Sequence, residues 1–446
     1  MNHEPSQTIT PPGHLVSTHP DSDGSGDPAA PRPGYLPVGD EHAFVVYHPA
    51  AAGHRRDCAV VLCPPFGWEA TSSHRGLRDW ANQLAQAGYP VLRLTFPSMG
   101  DSSGNVRDPG RLDVWTATVT SAAQWLAAAS GASSVVALGL SLGGIVAYRA
   151  AGSGAPIDGL ILWSTPARGR DLVRQLRAFA RLEQAEAFAG LADPGSVPTG
   201  ELEAGGFLLS AETVAALEAL DLSAVPPPAR LKAGVLTLGR DGIDVSAALR
   251  EVLDHAGIDT TSAPGHGYGG LTSHPQEARS PVATATAVAT WLAERSAPAP
   301  DGGTAAADAP GLEPRLRAGS DAAWFTETPV EISLPDGTLP GVLCEPGQPT
   351  ELCAVFLNAG AISRIGPSRL WVDVARRWAA RGVPSLRLDV TGIGEADGAM
   401  NAYPHASGLY RLELVAQVVA AIDDLQARGV AERFVLVGMC AGAYWS

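Results

Sequence analysis

Val135–Ala151 reads VVALGLSLGGIVAYRAA. Four apolar residues run into Gly139-Leu140-Ser141-Leu142-Gly143, and small or apolar residues follow at helical spacing. The pattern predicts a buried strand, a tight turn and a helix. Glycines two positions either side of Ser141 allow a turn sharp enough to expose its hydroxyl. The helix start beyond it favours negative charge developing there. A serine so placed is a candidate nucleophile, and a strand ending in such an elbow belongs to a sheet whose strands alternate with helices.

Working outward, the runs AFVVYHP, CAVVLC, YPVLRLTF, GLILWST and AGVLTLG are further candidate strands, with amphipathic segments such as LRDWANQLAQAG and WTATVTSAAQWLAAA between several of them. Continuously apolar strands separated by helices imply a mostly parallel sheet covered on both faces. About 65 residues separate GLILWST from AGVLTLG, too many for a bare connection, and the run DLVRQLRAFARLEQAEAFAGL within them predicts a helical cap over about residues 166–232. Residues 1–38 are rich in Pro, Gly, Ser and Asp and read as a disordered tail. Residues 296–321 have linker composition. The chain thus divides into a domain at 39–295 and a second one at 322–446.

The second domain repeats the first. Adding 294 carries Arg75 to Arg369, Gly88 to Gly382, Pro90 to Pro384, Leu92-Arg93-Leu94 to Leu386-Arg387-Leu388, Gly100 to Gly394 and Gly104 to Gly398, without a gap. Five further residues bring Cys440, in GMCAGA, opposite Ser141. Cys440 is therefore a candidate nucleophile of the second domain. No acid or histidine follows it, so the expectation is an incomplete copy without a working site of its own, in a fragment of a longer two-domain protein.

Composition narrows the function. The net charge of −15 and a single lysine, Lys232, argue against a nucleic-acid surface. No apolar run is long enough to span a bilayer and no secretory signal opens the chain, which predicts a cytoplasmic protein. Five scattered cysteines fit reduced thiols better than a disulfide framework, and neither their spacing nor that of the histidines suggests a metal site.

A serine hydroxyl needs a base, and the base a group to orient it. After an elbow of this kind the acid and then the histidine follow along the chain. AGVLTLG runs into Arg240-Asp241-Gly242-Ile243-Asp244, where Asp241 is the first acid past the strand and Asp244 the alternative. The stretch SAPGHGYGGLTSHPQ offers His266 and His274 as the base. For the oxyanion, the amide of Leu142 and that of Phe66 or Gly67, in the loop PPFGWE, are the expected donors.

With PPFGWEATSSHR, LRLTFPSMGDSSG and GLSLGG in this order, residues 34–295 resemble an α/β-hydrolase of the serine aminopeptidase-like, monoacylglycerol lipase-like branch, and more narrowly the hydrolases associated with exosortase gene systems. The resemblance favours His274, nine residues after Gly265, as the base, although the usual Asp-Pro-His context reads Thr-Ser-His here. From Phe325 the chain resembles the front half of the same fold, and a cysteine at the elbow is similar to dienelactone hydrolases. The expected activity is hydrolysis of a carboxylic ester or acyl thioester through Ser141, His274 and Asp241, without a cofactor, on a small acyl substrate. An acyltransferase with the same triad and a non-catalytic hydrolase-like binding protein are the rival readings.

Overall fold

A computed structural model describes residues 30–187, 198–299, 315–320, 323–335, 337–348, 350–399 and 402–446. Two mixed sheets form, one in each half of the chain. The first half runs β1 (Arg32–Val38), β2 (Glu41–His48), β3 (Cys58–Cys63), α1 (Gly67–Gln86), β4 (Val91–Leu94), α2 (Arg111–Ser130), β5 (Ser134–Leu140), α3 (Leu142–Gly152) and β6 (Gly159–Trp163). It continues with α4 (Gly169–Ala187), β7 (Leu202–Ala204), β8 (Phe207–Leu209), α5 (Ala211–Ala219), β9 (Gly234–Leu238), α6 (Ala247–His255), β10 (Thr260–Ala263), α7 (Tyr268–Leu271) and α8 (Val282–Arg295).

Eight of these strands form one sheet in the order β1-β2-β4-β3-β5-β6-β9-β10, antiparallel at β1-β2 and β2-β4 and parallel from β4 to β10. Val60, Val136 and Ile161 face α1 and α8, whereas Val61, Ala137 and Leu160 face α2 and α3. That two-sided burial is why the strands read as unbroken apolar runs. This is the α/β-hydrolase fold.

Two boundaries fall elsewhere than composition suggested. β1 starts at Arg32, inside the stretch read as tail, because Tyr35, Leu36 and Val38 are buried against β2 despite the flanking prolines. Residues 1–29 lie outside the described residues. Between β6 and β9 lie α4 and α5, together with a β7-β8 hairpin whose turn is Gly205-Gly206, with φ of +63° and +80°. Two successive positive φ values suit a tight hairpin turn, and only glycine takes both without strain.

The second half contains β11 (Leu316–Ser320), β12 (Ala323–Leu334), β13 (Gly337–Pro346), β14 (Leu352–Phe356), α9 (Leu370–Ala379), β15 (Ser385–Leu388), α10 (Leu412–Ala427), β16 (Arg433–Val437) and α11 (Ala441–Trp445). β11 lies in the segment read as linker and pairs with β12. The sheet order is β11-β12-β13-β15-β14-β16. From β12 onward it has the same sequence of neighbours as β1-β2-β4-β3-β5.

The two halves grip each other through residues 294 positions apart. Arg75 donates to the carbonyls of Gly394, Ala396 and Gly398, and Arg369 donates to those of Gly100 and Ser102 at 2.8 and 2.9 Å. Arg93 pairs with Glu395 at 2.6 Å, and Arg387 pairs with Asp101 at 3.1 Å. Each half thus offers an arginine from one strand (β4 or β15) and one at or beside a long helix (α1 or α9) to the loop after the other's corresponding strand. Around this exchange Arg364 bridges Asp101 and Asp389, and Glu327 binds both Arg376 and Arg387. Burial opposes the charge on Glu327, but the two guanidiniums overcome it and hold its carboxyl down at about 2.

Candidate active site

Ser141 sits between β5 and α3 with φ of 50° and ψ of −113°, an uncommon conformation for a residue with a side chain. Its N–H donates to the Trp163 carbonyl at 3.0 Å, and its own carbonyl accepts from Gly144 at 3.1 Å, which pins the turn between two strands and the helix. A Cβ at Gly139 would stand 2.4 Å from the Gly144 nitrogen, and one at Gly143 would stand 2.2 Å from the Cys63 carbonyl oxygen. Both glycines are therefore demanded by close backbone approach. The second contact also brings the loop that carries Phe66 against the elbow, where Leu142 opens α3 and Phe66 caps α1.

Asp241 follows β9 at a positive φ of 44°. Its carboxylate accepts the N–H groups of Gly267 at 2.5 Å and Gly269 at 2.6 Å, and that of Tyr268. Burial works against its ionisation, but these amides and Arg240 outweigh burial and keep the carboxyl below the usual range. Asp244 lies exposed in the next turn. Asp241 thereby fastens the turn after β10.

The residue this turn presents is Tyr268. Fully buried, it packs edge-on against Trp163 at 5.2 Å between ring centroids and donates its hydroxyl to Glu69 Oε2 at 3.0 Å. Ser141 lies near enough to Glu69 and Tyr268 to influence the ionisation of both. Arg240 completes the group, its guanidinium 4.5 Å from the centre of the Tyr268 ring and 3.8 Å from Glu69 Oε1. Burial raises the Glu69 carboxyl above the usual range, although Arg240, Tyr268 and Ser141 draw it partly back. Burial and the neighbouring Glu69 push the Tyr268 phenol well up, so it stays a donor.

The two histidines stand apart from this cluster. His266 is exposed, with its carbonyl accepting from Thr284 Oγ1 at 2.7 Å. His274 is exposed too; its Nδ1 accepts the Gln276 N–H at 3.3 Å and its ring lies 5.9 Å from that of Trp68. Among the described residues, neither histidine hydrogen-bonds to Ser141 or Asp241. Glu69 reads in the sequence as an ordinary first-turn acid of α1, and Tyr268 as one residue of a glycine-rich turn. Their one signal was position: each lies within a few residues of an expected site residue.

Cys440 repeats the elbow conformation, with φ of 55° and ψ of −123°. It is exposed, and the group facing its thiol is the Tyr410 hydroxyl at 4.0 Å.

A cleft with about 870 Å³ of empty space, its open mouth included, lies between the halves beside the Pro64–Gly67 loop. Leu62, Leu77, Met99 and Phe207 from the first half and Ile365 from the second give it apolar walls, and the ion pairs of Glu395 close its floor.

Residues 60–256 match the family model described as the alpha/beta hydrolase family. The chain is similar in structure to Est1E from Butyrivibrio proteoclasticus with ferulic acid bound, at a TM-score of 0.42 and 17% identity over 58% of this chain and 98% of that one. It is likewise similar to XC6422 from Xanthomonas campestris, a serine hydrolase without a lid, at 0.39 and 18% over 61% and 96%. The proline iminopeptidase of Mycobacterium smegmatis compares at 0.39 and 18% over 60% and 98%. No curated protein matches the chain.

Proposed function

We propose that the first half is a serine hydrolase that opens a carboxylic ester or acyl thioester through an acyl-enzyme on Ser141. The observation that carries this reading is the strained elbow: a serine at positive φ on a strand end, heading a helix, between two glycines that tolerate no side chain. The Ser141 oxygen attacks the acyl carbon, the carbonyl oxygen becomes an oxyanion received by the Leu142 and Phe66 amides, and the leaving alcohol or thiol departs with a proton. Water then releases the acid. In the triad expected from the sequence, His274 takes the proton and Asp241 orients it.

The acyl group is assigned to the interdomain cleft, whose apolar walls adjoin the Pro64–Gly67 loop, although Ser141 itself does not line it. The second half is read as a copy of the first that serves as a wall of this site; the reciprocal contacts of Arg75 with Arg369 and of Arg93 with Arg387 support that reading. The test is hydrolysis of p-nitrophenyl esters by wild type and Ser141→Ala. Turnover lost in the variant supports the proposal, whereas equal turnover in both removes it.

A further inference from the structure

We propose that Phe207 is a partition between an acyl cleft and a separate leaving-group cavity, and so decides which arm of an ester lies on which side of the site. This rests on the reading of Ser141 as the nucleophile and adds to it a specificity-determining residue and a place for the departing alcohol or thiol.

The interdomain cleft has a neighbour. A second cavity, with about 740 Å³ of empty space including its mouth, shares Met99 and Phe207 with the cleft as common walls. Both cavities also reach the Pro64–Gly67 loop: Pro64, Pro65 and Gly67 line the cleft, and Phe66 lines the second cavity. Ser141 lines neither, so this loop is what joins both to the elbow, through the approach of Gly143 to the Cys63 carbonyl. The Phe66 amide in it is the expected oxyanion donor. An ester whose carbonyl oxygen is held there has two substituents that diverge from the acyl carbon, and two cavities diverge from the same loop. Phe207 stands at the fork. Its ring meets that of Phe66 edge-on with centroids 6.4 Å apart, and its Cβ lies 3.4 Å from the point that a Cβ on Gly67 would occupy.

A partition sorts substrates only if it is held still. Phe207 follows directly on the Gly205-Gly206 turn, which is gripped from three sides. A Cβ at Gly205 would stand 3.1 Å from both Trp68 Cβ of α1 and Phe179 Cε1 of α4, and one at Gly206 would collide with the Ser368 hydroxyl of the second half. The second half also walls both cavities, the cleft with Ile365 and the second cavity with Ser368 and Arg369.

The linings assign the arms. Leu62, Leu77 and Ile365 suit the cleft to an acyl chain, whereas Trp115 and Leu209 stand beside the hydroxyl residues Ser98 and Thr213 in the second cavity, which suits an alcohol or thiol carrying hydrogen-bonding groups. Its two cations are already matched, Arg111 by Glu41 and Arg369 by Asp373, so the leaving group it fits is a neutral one.

The test uses the full chain as wild type, Phe207→Ala, Phe207→Leu, Ile365→Trp and Val106→Trp; Val106 lines the second cavity and not the cleft. The substrates are butyl octanoate and octyl butanoate, isomers that differ only in which arm is long. Release of acid at constant pH gives kcat/KM for each, and their ratio is read within one enzyme, so a loss of folded protein cancels. Wild type should favour butyl octanoate about tenfold, within the discrimination that an apolar pocket provides. Phe207→Ala should bring the ratio toward one, with Phe207→Leu in between. Ile365→Trp should lower the ratio and Val106→Trp should raise it. The proposal is overturned if wild type does not favour butyl octanoate, if both Phe207 variants keep the wild-type ratio, or if the two tryptophan variants move it in the same direction. A folded wild type that cleaves neither ester, or turnover that survives Ser141→Ala, would instead remove the nucleophile itself, and this proposal with it.

Discussion

Replacing Arg387 by Met strikes the centre of the contact between the halves. Arg387 is fully buried, pairs with Asp101 at 3.1 Å and with Glu327 at 2.9 Å, and these partners are 4% and 0% exposed. Methionine fills similar volume without a charge, so the change removes the ion pairs and little of the packing. Asp101 keeps Arg364 at 2.9 Å, and Glu327 keeps Arg376 at 2.6 Å, so neither carboxylate is stranded alone. Breaking a buried pair by deleting one partner typically costs about 3–5 kcal/mol, and the retained cations place this case toward the lower end. A surface pair would cost less than about 1 kcal/mol. The assay is urea unfolding followed by tryptophan emission, reading the first transition. Two of the ten tryptophans, Trp371 and Trp378, sit on α9 next to Arg376 and report on the second half. A first transition lowered by about 3 kcal/mol is expected. A loss below about 1 kcal/mol, with an unchanged slope, would refute the reasoning that these charges hold the halves together.

Three further outcomes follow from the same structure. Glu327 is held at about 2 against an ordinary 4.5, so its contribution to stability is complete above about 4.5 and is lost as pH falls toward 2; Glu395, lowered well below its usual range by Arg93 and His74, acts in the same direction. Urea midpoints measured on descending from neutral pH should therefore drop steeply within that window, and a flat profile there would count against the buried pairs. Of the five cysteines only Cys440 is exposed, and burial raises Cys58 to about 11 and Cys353 to about 12, so Ellman's reagent should titrate one fast thiol that Cys440→Ser removes; a fast thiol remaining in that variant would contradict the burial. Ile365→Trp, in the second half but on the cleft wall, should lower turnover of p-nitrophenyl octanoate about tenfold relative to the acetate, and parallel changes on both esters would detach the cleft from the acyl group.

The strands and the elbow were legible because each leaves a local signature. VVAL, CAVVLC and GLILW are apolar on both faces, and the glycines at 139 and 143 are forced by backbone approach. β1 was hidden because prolines at 33 and 37 mask a strand that pairs along one side only, at the sheet edge. The cap hairpin was hidden because its strands are three residues each, although Gly205-Gly206 marked its turn. The environment of Ser141 was beyond sequence for a different reason. An acidic residue in the first turn of a helix, as Glu69 is in α1, is ordinary on dipole grounds alone, and nothing local says that a chain segment 199 residues later will set Tyr268 against it. The interface charges were visible only in part: Arg93 matches Arg387, but neither carries a hint in sequence that it binds the other half.

Hydrolysis by this route passes through a covalent acyl-enzyme at Ser141. Its most direct measurement is mass spectrometry of the intact chain after a fluorophosphonate or a slow ester, followed by peptide mapping. A single adduct is expected on the peptide containing GLSLGG, absent from Ser141→Ala. An adduct on Cys440 instead, or none on a folded chain, would contradict it.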